Sequence, residues 1–203
     1  MKLLEVSHLQ IRIGCLALRL LLMYKTLCLL ILFGSPVFGS ELTITVDGNA
    51  KGEIKIDLFE DIAPLHVTQI LKLAEQGQYN DVVFHRVMDG FMAQTGDVEY
   101  GKAGNDTSLA GRGGSKLPNI PAEFSDIDFD RGIVGMARTR NPDSANSQFF
   151  IMFEAGYFLN GQYTVVGKVT SGMEVVDKIK RGEGSNGAVL GEPDKMVSIV
   201  TSR

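Results

Sequence analysis

The sequence predicts a mainly β fold, a closed eight-stranded antiparallel barrel covered by two α-helices. Eight short segments alternate apolar and polar residues or are continuously apolar, as strands are. Only two segments repeat apolar residues with the period of a helix. The chain also contains 23 glycines, which suit the many tight turns of such a fold. Closure of the sheet is expected because a closed barrel leaves no unpaired strand edge.

The first three elements follow from a change of period along the chain. The segments LTITV (42–46) and GEIKIDLF (52–59) alternate apolar and polar residues, which predicts two strands joined by a turn. In the segment 63–79, apolar residues recur three and four positions apart, which predicts a helix. Pro64 suits its first turn and Gly77 suits its end.

One further helix and six further strands complete the prediction. The helix is expected over 172–182, where apolar residues again share one helical face. Residues 99–122 are rich in Gly, Asn, Ser and Pro, which predicts a long loop, and loops of that length are often functional. The strands are expected at VVFHRVM (82–88), GFMAQTGD (90–97), GIVGMAR (132–138), SQFFIMF (147–153), YTVVGKV (163–169) and MVSIVTS (196–202).

The segment 1–39 has the pattern of a secretory signal peptide. A short basic start precedes the apolar run 27–33, and Pro36 follows the run before small residues at cleavage spacing. Cleavage is expected after Gly39. The sequence leaves open whether translation starts at the first residue or at Met23.

A transmembrane anchor is the weaker alternative for this leader. The uncharged stretch 26–40 has only 15 residues, and a spanning helix needs roughly 20. Both cysteines, Cys15 and Cys28, lie in the leader. The predicted domain 40–203 therefore has no disulfide and no thiolate nucleophile or metal ligand.

Several common kinds of chemistry are disfavoured in the domain. The net charge of −4 and the absence of a basic run argue against nucleic acid as a partner. His66 is expected to be a structural helix residue, and neither it nor His85 has metal-ligand spacing to a second histidine. Ser115 and Ser147 do not lie on a nucleophile elbow, which disfavours a secreted hydrolase. GRGG (111–114) lacks the Lys-Ser/Thr end of a phosphate loop.

What remains is Arg86 in the segment VFHRVMDGFMAQTGD (83–97), among apolar and amide residues. From periodicity alone, two interpretations stay open. In one, the aromatic residues form core and Arg86 is a surface charge. In the other, the arginine and its apolar neighbours form a site.

The linked motifs FHRVMDGFMAQTGD, GIVGMAR, NSQFFIMF and FLNGQYTVVGKV strongly resemble those of the cyclophilin family of peptidyl-prolyl cis-trans isomerases. Their order and spacing also match, and the resemblance extends from Leu42 to Ser202. The chain is most similar to the bacterial, exported (periplasmic) branch of that family. The resemblance therefore implies a cyclophilin-like barrel.

The resemblance also implies roles for individual residues. Arg86 is the expected catalytic residue, with Phe91 as pocket wall and Gln94 as polar contact. The residues expected to bind substrate are Met92, Ala137, Arg138, Gln148, Phe150, Phe158, Leu159 and Tyr163.

Three of these positions depart from the common eukaryotic pattern of the family. Phe158 lies where tryptophan is usual, Tyr163 where histidine is usual, and Arg138 where asparagine is usual. Without the indole N–H donor, only weak cyclosporin binding is expected.

The function implied is rotation of X-Pro bonds in unfolded or partly folded exported proteins in the periplasm. Neither a cofactor nor a metal is expected, and the domain is expected to be a monomer with no stable membrane anchor after signal cleavage. The alternative is a cyclophilin-fold binding module or chaperone whose isomerase activity is incidental.

Overall fold

The computed structural model describes residues 39–202, which lie in one compact unit. The predicted signal peptide, the start at Met23 and both cysteines lie outside the described residues. Across residues 39–202, no helix combines the length and the hydrophobicity that crossing a membrane requires.

The described chain contains nine strands and two α-helices. The helices are α1 (Pro64–Glu75) and α2 (Met173–Val176). The strands are β1 (Glu41–Asp47), β2 (Gly52–Leu58), β3 (Val82–Val83), β4 (Arg86–Met88), β5 (Met92–Thr95), β6 (Ile133–Met136), β7 (Phe149–Met152), β8 (Val165–Ser171) and β9 (Lys195–Ser202).

The strands form one curled antiparallel sheet in the order β3-β9-β1-β2-β8-β6-β7-β5-β4. The mainly β prediction with two helices is confirmed, but the closed eight-stranded barrel is wrong. The predicted strand 82–88 is interrupted at residues 84–85: the Phe84 N–H still donates to the carbonyl of Asp194 next to β9, whereas the His85 carbonyl accepts from the N–H of Val189. Its two halves pair with opposite ends of the sheet, β3 with β9 and β4 with β5. The chain itself therefore links the two ends, and no ladder joins β3 to β4 in the described sheet.

Helix α1 is shorter than the predicted 63–79, and a distant carboxylate caps its start. Ala63 at the N-cap offers no side-chain acceptor. Glu123 accepts hydrogen bonds from the backbone N–H groups of Leu65 and His66 at 3.1 and 3.0 Å. The same carboxylate contacts His66 Nδ1 at 2.5 Å, and the His66 side chain is fully buried. His66 thus links the helix to the loop that carries Glu123.

Helix α2 has only one turn, whereas a helix over 172–182 was expected. After Val176 the backbone tightens, because Lys178 and Ile179 bond to carbonyls three residues back. The N–H of Lys180 then donates to the buried carboxylate of Asp194 at 2.6 Å. This bond turns the chain away from the helical path.

Two apolar clusters make up the interior. The larger contains α1 and the inner faces of β1 and β2. The smaller surrounds Phe129 and Phe150 and includes Met92, Met152 and Leu159. This second cluster reaches the surface at the centre of β5 and β7, where the predicted site residues lie.

Candidate active site

The pairing of β4, β5 and β7 places the central residues of the site on one face of the sheet. Arg86 lies opposite Gln94, and Gln94 lies opposite Phe150. Residues directly opposite each other on paired strands point to the same side. An arginine, an amide and an aromatic ring therefore lie side by side across three strands.

Phe150 forms the floor of the site, and its position requires a glycine on the neighbouring strand. A Cβ on Gly135 of β6 would lie 2.5 Å from the Phe150 ring. The ring stacks on Phe129 at 5.9 Å between centroids and meets the edge of Tyr163 at 5.9 Å. Phe150 is only 5% exposed, so the pocket floor is part of the second apolar cluster.

Above this floor lies a cavity of about 270 Å³. Gln148 lies beside it and lines a smaller cavity of about 120 Å³ that shares Gln94, Ala137 and Arg138 with the first. All eleven residues expected from the sequence therefore surround one continuous depression. The ten that line the larger cavity are Arg86, Phe91, Met92, Gln94, Ala137, Arg138, Phe150, Phe158, Leu159 and Tyr163.

Arg86 is half-buried, and three oxygen contacts hold its guanidinium. Its Nε–H donates to the Asn186 carbonyl at 3.0 Å, and Nη2 donates to the Asn186 side-chain oxygen at 3.1 Å. Nη1 donates to Gln94 Oε1 at 3.1 Å. The remaining N–H groups face sulfur atoms, Met88 Sδ at 3.1 Å from Nη2 and Met92 Sδ at 4.0 Å from Nη1. Because thioether sulfur is a weak acceptor, two of the five donors are only weakly engaged.

The charge of Arg86 has no acidic partner within residues 39–202. Burial lowers the pKa of Arg86. The ordinary pKa of arginine is so high that the guanidinium stays protonated at neutral pH. The site therefore presents an unneutralised cation beside an apolar floor.

Asn186 is the site residue that the sequence analysis missed. It lies 100 positions from Arg86 in the chain and bonds to it through both its backbone and its side chain. Its φ of 58° is in the left-handed region, which asparagine tolerates better than most residues. The dipeptide Asn186-Gly187 is a turn signal, but nothing in the local sequence indicates that the turn contacts Arg86.

A chain of amides continues from Arg86 into the long loop. Gln94 Nε2 donates to Gln148 Oε1 at 2.9 Å, and Gln148 Nε2 donates to the Gly113 carbonyl at 2.8 Å. Arginine only donates and a carbonyl only accepts, so both ends fix the orientation of the two amides between them. The buried carboxylate of Asp97 in turn accepts from the N–H of Gly113 at 2.9 Å.

Comparisons with known proteins agree with this geometry. The family model described as cyclophilin type peptidyl-prolyl cis-trans isomerase/CLD matches residues 42–201. The chain belongs to the cyclophilin-type peptidyl-prolyl cis-trans isomerase family. Peptidyl-prolyl cis-trans isomerisation is accordingly its enzymatic activity.

Individual relatives come from bacteria and a eukaryotic parasite. A probable peptidyl-prolyl cis-trans isomerase of Brucella suis is 61% identical over 149 residues, covering 72% of this chain and 76% of the relative. Peptidyl-prolyl cis-trans isomerase B of Escherichia coli is 39% identical, covering 64% and 79% of the two chains. A crystal structure of a Cryptosporidium parvum cyclophilin, in the presence of the dipeptide Ala-Pro, aligns with a TM-score of 0.68 at 26% identity, covering 80% of this chain and 99% of that one.

Two departures of this cyclophilin from the common pattern contact each other. The guanidinium of Arg138 lies 4.3 Å from the centroid of the Tyr163 ring, a cation–π contact. Arg138 also donates to the Gln162 carbonyl at 2.7 Å and to the Thr139 carbonyl at 2.9 Å. The arginine is thus fixed as part of the pocket rim. The third departure, Phe158, is 66% exposed and packs on Phe91 with centroids 5.4 Å apart.

Burial favours the neutral form of His85, which precedes the arginine. Burial lowers the pKa of His85 to about 4. A Cβ on Gly111 would lie 3.0 Å from the imidazole, so the ring is packed beneath the long loop. Among the described residues, neither ring nitrogen has a hydrogen-bond partner. Residues 39–202 also contain no group of three acidic, histidine or cysteine residues that could hold a metal ion.

Proposed function

We propose that this cyclophilin isomerises X-Pro bonds of unfolded or partly folded exported proteins in the periplasm, with Arg86 as the catalytic residue. The leader pattern of residues 1–39 supports export. The observation that carries the catalytic assignment is the guanidinium beside the apolar pocket. It has no carboxylate partner among residues 39–202, and two of its donors are turned only to sulfur.

The reaction needs help because amide resonance opposes rotation. The barrier to rotation is about 20 kcal/mol, and uncatalysed exchange takes tens to hundreds of seconds. When the bond is twisted, the prolyl nitrogen becomes pyramidal and its lone pair accepts a hydrogen bond. In the planar amide the same nitrogen cannot accept. A donor aimed at that nitrogen therefore stabilises the transition state and not the ground state.

Arg86 supplies such a donor. Its three oxygen contacts hold the group in place, and its weakly engaged N–H groups require little disruption to reach a substrate. A hydrogen bond to a charged donor contributes about 1.5–3 kcal/mol. An acceleration of about five decades requires roughly 7 kcal/mol, so the pocket must contribute the remainder.

The apolar residues contribute by holding the prolyl ring in a site of low dielectric constant. Phe91, Met92, Phe150 and Leu159 line the cavity next to the guanidinium. Polar interactions become stronger where water is excluded. Gln94 acts by orienting Arg86 and by contacting the peptide, while Ala137, Arg138 and Gln148 bind the chain beside the proline.

Several properties of the ligands follow from this proposal. The Cryptosporidium parvum structure with Ala-Pro supports proline-containing peptides as substrates here. Phe158 at the rim offers no N–H donor, so cyclosporin binds weakly. The enzyme works as a monomer and uses no cofactor.

Exchange of an Ala-Pro peptide, followed by NMR with the chain from Ser40, tests the catalytic assignment. Wild type and the control Arg140→Ala, an exposed arginine that lines neither cavity, should both accelerate exchange. Arg86→Ala should lose most of the acceleration. If wild type leaves exchange at the uncatalysed rate yet suppresses aggregation of an unfolded protein, the binding-module alternative replaces this proposal.

Export is tested separately. Residues 1–39, and residues 23–39 starting at Met23, are fused to a reporter that is active only outside the cytoplasm. Reporter activity with either fusion supports export and indicates which start suffices. Activity with neither contradicts the periplasmic location.

A further inference from the structure

Met88 lies next to the guanidinium of Arg86 because of the alternation of side chains along β4. Arg86 and Met88 are two positions apart, so they share one face of the strand. Met88 Sδ is 3.1 Å from Arg86 Nη2. On its other side Met88 packs against Gly187, so closely that a Cβ on Gly187 would overlap the Cγ of Met88. The thioether is thus confined between the arginine and the turn that contains Asn186.

Among the six methionines of the described residues, Met88 is unusual in its exposure. It is only partly buried, as is Met173 at the start of α2. Met173 packs against the larger apolar cluster, whereas Met88 packs against the smaller one beneath the active site. The other four are buried, namely Met92, Met136, Met152 and Met196.

We propose that Met88 is a site of reversible oxidation by peroxide and that its sulfoxide inhibits the isomerase. The sulfur lone pair attacks one oxygen of hydrogen peroxide, the O–O bond breaks, and an S–O bond forms. The proton of the oxygen now bonded to sulfur passes to the departing hydroxide, which leaves as water. The sulfur is oxidised by two electrons and the peroxide is reduced. Reduction by a methionine sulfoxide reductase restores the thioether.

The inhibition follows from the change in acceptor strength, and it rests on the catalytic role proposed for Arg86. A thioether sulfur is a weak acceptor, whereas a sulfoxide oxygen is polar and accepts strongly. The new oxygen lies within reach of Nη2, whose other proton already donates to Asn186. Both Nη2 protons are then held by oxygen, and a donor that the prolyl nitrogen needs is occupied. Loss of one hydrogen bond from the charged donor to the prolyl nitrogen predicts a loss of about 10- to 150-fold in kcat.

The experiment compares wild type, Met88→Leu and Met173→Leu before and after graded hydrogen peroxide. Peptide mass spectrometry measures oxidation at each methionine, and Ala-Pro exchange measures activity relative to the same protein before oxidation. Wild type and Met173→Leu should lose activity in proportion to oxidation of Met88 and regain it with the reductase. Met88→Leu should keep its own activity while Met173 is oxidised.

Two outcomes overturn the inference: full activity of wild type with Met88 oxidised, or equal inactivation of Met88→Leu. A third readout is the variant Met88→Gln, in which an amide oxygen replaces the weak thioether acceptor. This substitution should lower kcat with little change in peptide affinity. An unchanged kcat counts against the inference. Arg86→Ala in the same assay separates the two proposals. If Arg86→Ala is fully active, the catalytic assignment itself fails; if it is inactive and Met88 oxidation has no effect, only the present inference fails.

Discussion

Removal of the Asn186 side chain should slow this cyclophilin without altering its fold. Asn186→Gly deletes the oxygen that accepts from Arg86 Nη2 at 3.1 Å but keeps the carbonyl that accepts from Nε. Glycine also adopts the left-handed φ of 58° freely, so the turn is retained. Asn186 is exposed, so the lost bond is worth about 1 kcal/mol, below the range for buried charged pairs. That free energy corresponds to roughly a fivefold lower kcat.

The assay is Ala-Pro exchange by NMR, with unfolding in urea as a check of stability. Asn105→Gly is the matched control, because Asn105 is exposed in the long loop and does not contact Arg86. Asn186→Ala should be slower than wild type and also less stable, because alanine tolerates the left-handed region less well than asparagine, whose polar side chain can hydrogen-bond locally. Wild-type kcat in Asn186→Gly would refute the idea that Asn186 positions the arginine.

Three further predictions concern other parts of the site. Because burial lowers the pKa of His85 to about 4, the unfolded state binds more protons than the folded state between that pH and about 6.5. The contribution of His85 to the free energy of unfolding should be fully present above pH 6.5 and fall by about 3 kcal/mol as the pH drops to about 4. Urea unfolding at each pH should show a smaller fall in His85→Gln than in wild type. The same fall in both proteins would contradict this prediction. The N–H groups of Gly111 and Gly113 donate to Asp97 Oδ2 at 2.7 and 2.9 Å, and those of Glu99 and Tyr100 donate to Oδ1 at 3.1 and 2.9 Å. In either orientation, Asp97→Asn turns amide hydrogens toward one of these two pairs of donors. Its free energy of unfolding should drop by at least about 2 kcal/mol, and an unchanged urea midpoint would argue against a structural role. Phe158→Trp places an indole N–H at the exposed rim and should tighten cyclosporin binding about fivefold, as measured by calorimetry. Equal affinities of the two proteins would show that the missing N–H donor does not cause weak cyclosporin binding.

The sequence predicts the site better than the closure of the sheet. The spacing of Arg86 and Gln94 across a tight turn is local, so recognising the motif is enough to pair the two residues. The interruption at residues 84–85 is not local, because the Phe84 N–H bonds to Asp194 and the His85 carbonyl accepts from Val189, both more than one hundred residues later. Periodicity alone therefore joined two short strands into one, and closure was expected only because a closed barrel leaves no unpaired strand edge.

Long-range contacts to single polar groups account for the other differences. Helix α2 ends early because Asp194 accepts from Lys180, and α1 begins under a cap supplied by Glu123. Asn186 contacts Arg86 across 100 positions of sequence. Apolar periodicity can be recognised within one segment of the sequence. The partner of a buried polar group depends on the tertiary structure and often lies far away in the chain.

The most direct test of the account separates binding from catalysis in Arg86→Ala. NMR line shapes of a titrated Ala-Pro peptide give Kd and the rate of exchange on the enzyme in one series. If the guanidinium donates mainly to the twisted prolyl nitrogen, Kd should change by less than about twofold while kcat falls by about 10- to 150-fold. A large rise in Kd with kcat retained would contradict the account, because Arg86 would then bind the substrate without stabilising the transition state.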